Sequence, residues 1–249
     1  MNKTRNNIIT IVCAAVTALL LFTASSCIIL VGNRIHGNGK VQTQRFPLSN
    51  FDSVSVGGRW TVDIRQSDTF SVTIDTDENL FAYLDISVDD GTLHIGFKRG
   101  YSIDRTHCKA FITMPVLTQL TASGSLTGTV SSFNISRGTM SVVVSGSGDV
   151  VVRDITVKNL NLRISGSGSF SASGETQNLK GSISGSGNIN TTYLETEHAD
   201  ISISGSGSAK VWVTGRLTAD ISGSGSIGYK GNPFMINSRT SGSGSVYPL

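Results

Sequence analysis

The chain has 249 residues, 28 of them glycine, with 15% charged residues and a formal net charge of +3. Lys3 and Arg5 lie in a leader segment, and without them 18 basic residues face 17 acidic ones. That balance excludes an electrostatic case for nucleic acid or an anionic membrane surface as partner.

The first 27 residues, "MNKTRNNIITIVCAAVTALLLFTASSC", have a short basic start, a long apolar run and small residues before Cys27. This is the layout of a secretory signal peptide over 1–26. "TASSC" resembles the lipobox of bacterial lipoproteins, with Ala24 where leucine is usual. Lipidation of Cys27 is therefore expected, with the membrane as a partner through the anchor. A second reading is an uncleaved anchor, because the apolar stretch continues through "IILV" and is long enough to span a bilayer. The small residues before the cysteine favour the lipoprotein. Either reading places the rest of the chain outside the cytoplasm, and a lipoprotein of the cell envelope points to the outer membrane of a Gram-negative bacterium. With Cys13 removed and Cys27 acylated, Cys108 stands alone, so no disulfide framework exists. It reads as a small buried residue.

Residues 27–45 show no sustained periodicity and read as a tether. From 46 to 115 short alternating runs such as Trp60/Val62/Ile64, Phe70/Val72/Ile74 and Leu93/Ile95/Phe97 are separated by "VGGR", "RQSDT", "DTDEN" and "DDGT". Period two between turn formers predicts strands with one buried face. The one helical candidate, "DENLFAYLD", is too short to carry a helix.

From 116 to 249 the chain repeats. "SGSG" begins at Ser145, Ser165, Ser184, Ser204, Ser222 and Ser241, with a degenerate copy, "SGSLTG", at Ser123. A period of 19–20 residues predicts a solenoid. Three columns support it: Val144, Ile164, Ile183, Ile203 and Ile221 precede the tracts, with Thr240 at the last. Met140, Leu160, Leu179, Ala199, Leu217 and Ile236 stand five before. Val150, Phe170, Ile189, Ala209, Ile227 and Val246 follow. The predicted fold is all-β: a single-stranded parallel β-helix of about 19–20 residues per coil, capped at its N-terminal end by irregular short strands. Two conformations of the tract fit. Straight strand puts both glycines toward the core and the serines outward, whereas a corner puts glycine at positive φ. The ends of such a rod are open edges, so self-association is also expected as an option.

"FDSVSVGGRWTVDIRQSDTFSVTIDTDENL", "VDDGTLHIGFK", "FITMPVLTQLTASGS" and the serial SGSG tracts resemble the head GIN domain family of autotransporter adhesin heads, over about residues 45–249. The resemblance implies a β-helix-like structure and an extracytoplasmic binding role toward a glycan or protein at the cell surface. It supplies no ligand and no catalytic residues. The chain has no room for a membrane β-barrel of its own.

Catalytic constellations are not apparent, and no enzyme activity is predicted. Glycoside hydrolysis needs two carboxylates on one face. Among the repeat-region acids, Asp149, Asp154, Glu175, Glu195, Glu197, Asp200 and Asp220, Asp200 lies four before its tract and Asp220 two before, so these two share no aligned column, although the shorter coil at Ser222 can bring them near each other on adjacent turns. His36, His94, His107 and His198 have no metal-ligand spacing, and the place of Asp149 is taken by serine or asparagine in later repeats. Neither metal nor cofactor is predicted. The remaining candidate ligand surface is Trp212 and Tyr229 with Lys210 and Arg216, where rings can stack on sugars and cations can hold acidic groups; Lys230 and Tyr247 lie nearby. Packing of Trp212 and Tyr229 as large wall residues is the simpler alternative. The overall expectation is a non-catalytic, lipid-anchored adhesin; a carbohydrate-active β-helix enzyme and a purely structural envelope protein are the alternatives.

Overall fold

The computed structural model describes residues 33–104 and 107–249. Cys27 and its leader lie outside the described residues. The repeat folds as a parallel β-solenoid. Five long strands, Asn134–Gly146, Asp149–Gly166, Ser169–Gly185, Asn188–Gly205 and Ser208–Gly223, each form most of one coil and pair in parallel with the next. The first tract glycines stand in register through the stack, Gly146 on Gly166, Gly185, Gly205 and Gly223.

Each coil has three walls, because burial alternates along the strand and then loses phase. In Asp149–Gly166 residues 150 and 152 are buried, 153 and 154 both face out, 155 and 157 are buried, and 158 and 159 both face out. Residues 160, 162 and 164 then point in before the tract. Two neighbouring outward residues in a period-two strand mark a corner. The three apolar columns fall on the inside. From Met140 to Leu217, from Val144 to Ile221 and from Val150 to Ile227, no member exceeds 4% exposure. The columns end at the last rung, where Ile236, with no coil beyond it, is 41% exposed. Threonines also enter the interior, and their hydroxyls are satisfied. Thr176 donates to the Asn178 carbonyl at 3.2 Å and Thr196 to that of Leu194 at 3.3 Å.

The SGSG tract is a corner, and its two glycines have different duties. The first is outward at positive φ, from 109° at Gly146 to 123° at Gly205 and Gly223. The second, as at Gly168 and Gly187, is buried. Only the second glycine thus occupies the core side that straight-strand parity gives to both. Backbone hydrogen bonds continue around the bend: Ser167 N donates to Gly146 O at 2.9 Å, and Ser169 N to Gly148 O at 3.0 Å.

The cap is built on the same geometry. Ser53–Gly58 and Thr61–Gln66 form a rung beneath Gln119–Gly124 and Thr127–Ser131, with Gly58 on Gly124 and Gly124 on Gly146. Eight such glycines, from Gly58 to Gly242, give a stack about 34 Å long at strand spacing. Below that rung lie Thr92–Phe97 and Cys108–Met114, still parallel to it. The outermost pairings are antiparallel: Leu84–Asp89 on Thr92–Phe97, Ser71–Asp77 on Cys108–Met114, and Val41–Phe46 on Ser71–Asp77. Antiparallel edges close this end of the rod. "DENLFAYLD" holds one 3₁₀ turn, Glu78–Tyr83. Cys108 is buried, its Sγ 3.4 Å from Thr76 Oγ1.

Within the stretch read as a tether, Asn33–His36 and Val41–Phe46 are strands, the first paired with Tyr101–Asp104. Val41–Phe46 is exposed over nearly its whole length, so it carries no hydrophobic alternation to reveal it. Its partner strand and the 2.7 Å Thr43–Asp75 hydrogen bond hold it in place.

Candidate binding surface

With the interior filled, the chemistry of this molecule lies on its outer walls. The tract serines face outward beside the corner. Next to them runs a groove of about 570 Å³, parallel to the axis, bordered by serines of successive coils such as Ser182, Ser184, Ser202 and Ser204 and by Arg163 and Arg239. On the second wall a more polar groove of about 620 Å³ contains Glu175, Glu195 and Glu197, with Arg137 and Lys158 toward the earlier coils. A third, of about 300 Å³, lies along the corner opposite. There a hydrogen-bonded ladder runs from Asn178 to Asn159 at 2.9 Å and from Asn159 to Thr139 at 3.1 Å.

The residues singled out in the sequence separate onto different parts of this surface. Trp212 is half-buried on the outward side of the first wall, and Lys230 from the next coil places Nζ 4.4 Å from its ring centre. Lys210 is exposed on the same wall. Tyr229 is in register with Val211, an inward residue, and packs against the core. Arg216 lies beyond the next corner, in register with His198, and borders the third groove. The structure therefore brings together Trp212, Lys210 and Lys230, and leaves Tyr229 and Arg216 apart from them.

The carboxylates are distributed in the same scattered way. Asp200 is in register with Lys180 and Thr218, and Asp220 with Ser202 and Arg239, so the two are not cross-strand partners. Glu175 and Glu195 are, each nine residues before its tract, a shared column that the sequence reading passed over. Among the described residues no group of three or more His, Cys, Asp or Glu side chains is placed to hold a metal ion.

Sequence reading missed Tyr193, which is 74% exposed and stands within 5.5 Å of Lys230 Nζ. Its position comes from coil length. Ser204 to Ser222 is the shortest tract interval in the repeat, 18 residues. In the pairing of those coils Thr191 meets Val211 and Glu195 meets Trp212, leaving 192–194 with no partner above them. The uncovered corner projects the ring. The available signal was the short interval itself.

This combination of a mixed N-terminal cap and an SGSG-cornered solenoid matches a family model described as "Putative auto-transporter adhesin, head GIN domain" over residues 50–233. The chain belongs to this head GIN domain family. Solved structures agree on the head GIN fold. A "putative adhesin" from Bacteroides fragilis is 21% identical with a TM-score of 0.73, over 86% of this chain and all of that one. A "putative lipid binding protein" from Parabacteroides distasonis is 28% identical with a TM-score of 0.75, over 87% of this chain and all of that one. A "putative adhesin" from Parabacteroides merdae is 26% identical with a TM-score of 0.67, over 87% of this chain and 99% of that one. No curated protein matches. Family and neighbours carry the names of adhesins or binding proteins, and none of these names is that of an enzyme.

Proposed function

We propose that this head GIN domain is a lipid-anchored, extracytoplasmic adhesin that binds its partner on the outer walls of the solenoid and performs no chemistry on it. One observation carries the reading: the interior columns are filled along the whole repeat, while the grooves are on the outside and span several coils. A rigid wall with features every ~4.8 Å suits recognition of an extended partner better than enclosure of a small one. Asp200 and Asp220 form no cross-strand pair, and the pair that does exist, Glu175 with Glu195, lies in a groove beside Arg137 and Lys158, which is where the carbohydrate-active alternative would have to act. Trp212 with Lys210 and Lys230 offers a ring and two cations to a glycan or protein at the cell surface; Tyr229 serves the core, and Arg216 contributes from a separate groove.

Two measurements test this. The Cys27→Ala variant should lose fatty-acid labelling, and retained labelling would refute the anchor. The mature domain should bind within a screen of glycans and matrix proteins, with Trp212→Ala weakening that binding; a blank screen combined with altered envelope integrity on deletion would favour a structural role instead.

A further inference from the structure

We propose that a pocket walled by Tyr193 and headed by Arg153 and Asp154 holds one pyranose ring carrying a carboxylate; the proposal rests on the adhesin reading and supplies its ligand class. The pocket has a volume of about 360 Å³ and is formed by three successive coils, 151–154, 171–173 and 190–193. Its lining includes Val151, Ser171 and Asn190, in register on successive coils, and Tyr193 belongs to the last of these coils. Lys230 lies over the Tyr193 ring, coming from two coils further along, so the ring is braced from the later-coil side. An exposed aromatic beside this lining suits the apolar face of a sugar, not an acyl chain or a globular protein.

The polar heads around the ring define the rest of the ligand. Among the described residues neither the Arg153 guanidinium nor the Asp154 carboxylate has an ion-pair or side-chain hydrogen-bond partner. Asp154 is held at φ 52°, and its backbone N–H donates to Ser173 Oγ at 3.1 Å, so its direction is fixed by the corner and not by a salt bridge. Asn190 Oδ1 accepts from Thr192 Oγ1 at 2.9 Å and from Thr192 N at 3.3 Å, which orients the amide and leaves Nδ2 as a donor. The site thus offers one planar cation for a carboxylate, one anion that accepts hydroxyl protons, and one amide donor. A neutral sugar would leave Arg153 unanswered, and a phosphate would crowd Asp154.

The probe is an α-1,4-linked galacturonate tetramer and its methyl ester, which share ring and linkage and differ in charge. Amide chemical shifts of the labelled mature domain are followed on titration. The acid form is expected to move 171–173 and 190–193 and to bind about tenfold more tightly than the ester, the worth of one charge-assisted contact. Tyr193→Ala should weaken both forms about tenfold and Tyr193→Phe neither, and Arg153→Gln should erase the difference between acid and ester. Tyr193 is largely solvent-exposed, so an unchanged melting temperature is expected for its variants and separates site from fold. Equal binding of acid and ester, shifts confined to other walls, or no shift at all would overturn the site. If these fail while the domain still binds in the glycan and matrix screen, the adhesin reading stands; a blank screen removes the reading as well.

Discussion

The two rungs next to the cap and the five regular coils turn the same corner but fill it differently. All of them keep the first glycine at positive φ, 104° at Gly58 and 100° at Gly124 against 109–123° in the coils. At the second position the regular coils have glycine, whereas the cap rungs have Trp60 and Leu126, both buried. A β-branched residue below does not decide it alone, since Val56 stands in that column beneath Leu126 and Ile95 beneath Trp60. In the coils the β-branched residue of the coil below enters the corner, so a Cβ on Gly187 would come within 2.5 Å of Ile164 Cγ2 and one on Gly207 within 2.7 Å of Ile183 Cγ2. Above the Gln119–Gly124 rung, where Ala122 takes that column, Gly148 meets Leu126 atoms instead, the nearest at 3.1 Å. The first glycine is a backbone requirement and the second a packing requirement, which is why only the second is exchanged.

The largest test makes the sequence more regular and the protein weaker. Leu126→Gly completes an SGSG tract at Ser123, yet it empties a fully buried position above Val56. A loss of about 4 kcal/mol is expected from large-to-small core substitutions plus the entropy of glycine, read from chemical denaturation. A loss below ~1 kcal/mol would show that cap rungs and coils are equivalent after all.

Gly205→Ala addresses the half of the corner that all rungs share. Its φ is 123°, and an added Cβ would lie 2.5 Å from the Gly185 carbonyl oxygen, a backbone atom that the ladder holds in place. About 3 kcal/mol of destabilisation is expected, from a conformation nearly restricted to glycine and from overpacking. Ser206→Ala, one residue on and outward, should stay within ~0.5 kcal/mol, so a similar loss in both variants would contradict the assignment.

Period, columns and cap were legible because a continuous interior imposes the same apolar residue coil after coil, and Ile164, Ile183 and Ile203 record that. The corner was not, because strand parity and a positive-φ bend both explain alternating serine and glycine; the positive φ of the first glycines separates them, and from Gly124 onward a Cβ there would also meet the carbonyl oxygen of the glycine below. Val41–Phe46 escaped for lack of a buried face. Of the candidate surface, Trp212 was legible as an aromatic beside cations, but the direction of Tyr229 depends on parity within its coil. Tyr193 depends on a length difference between two coils, a property of neither alone.

The smallest effect is also the most direct measure of how cap and coil differ. Gly187→Ala should cost about 2 kcal/mol by overpacking against Ile164 Cγ2 and the Gly168 carbonyl oxygen at 2.9 Å. Ile164→Ala alone should cost about 3 kcal/mol by leaving a cavity. Together they recreate the smaller neighbour found at Ala122, so the new methyl finds room, and the double variant should be more stable than the sum predicts by about 1 kcal/mol. Strict additivity would mean that the carbonyl alone enforces glycine here. The exchange at Leu126, which lies above Val56, is in either case not set by a small side chain below.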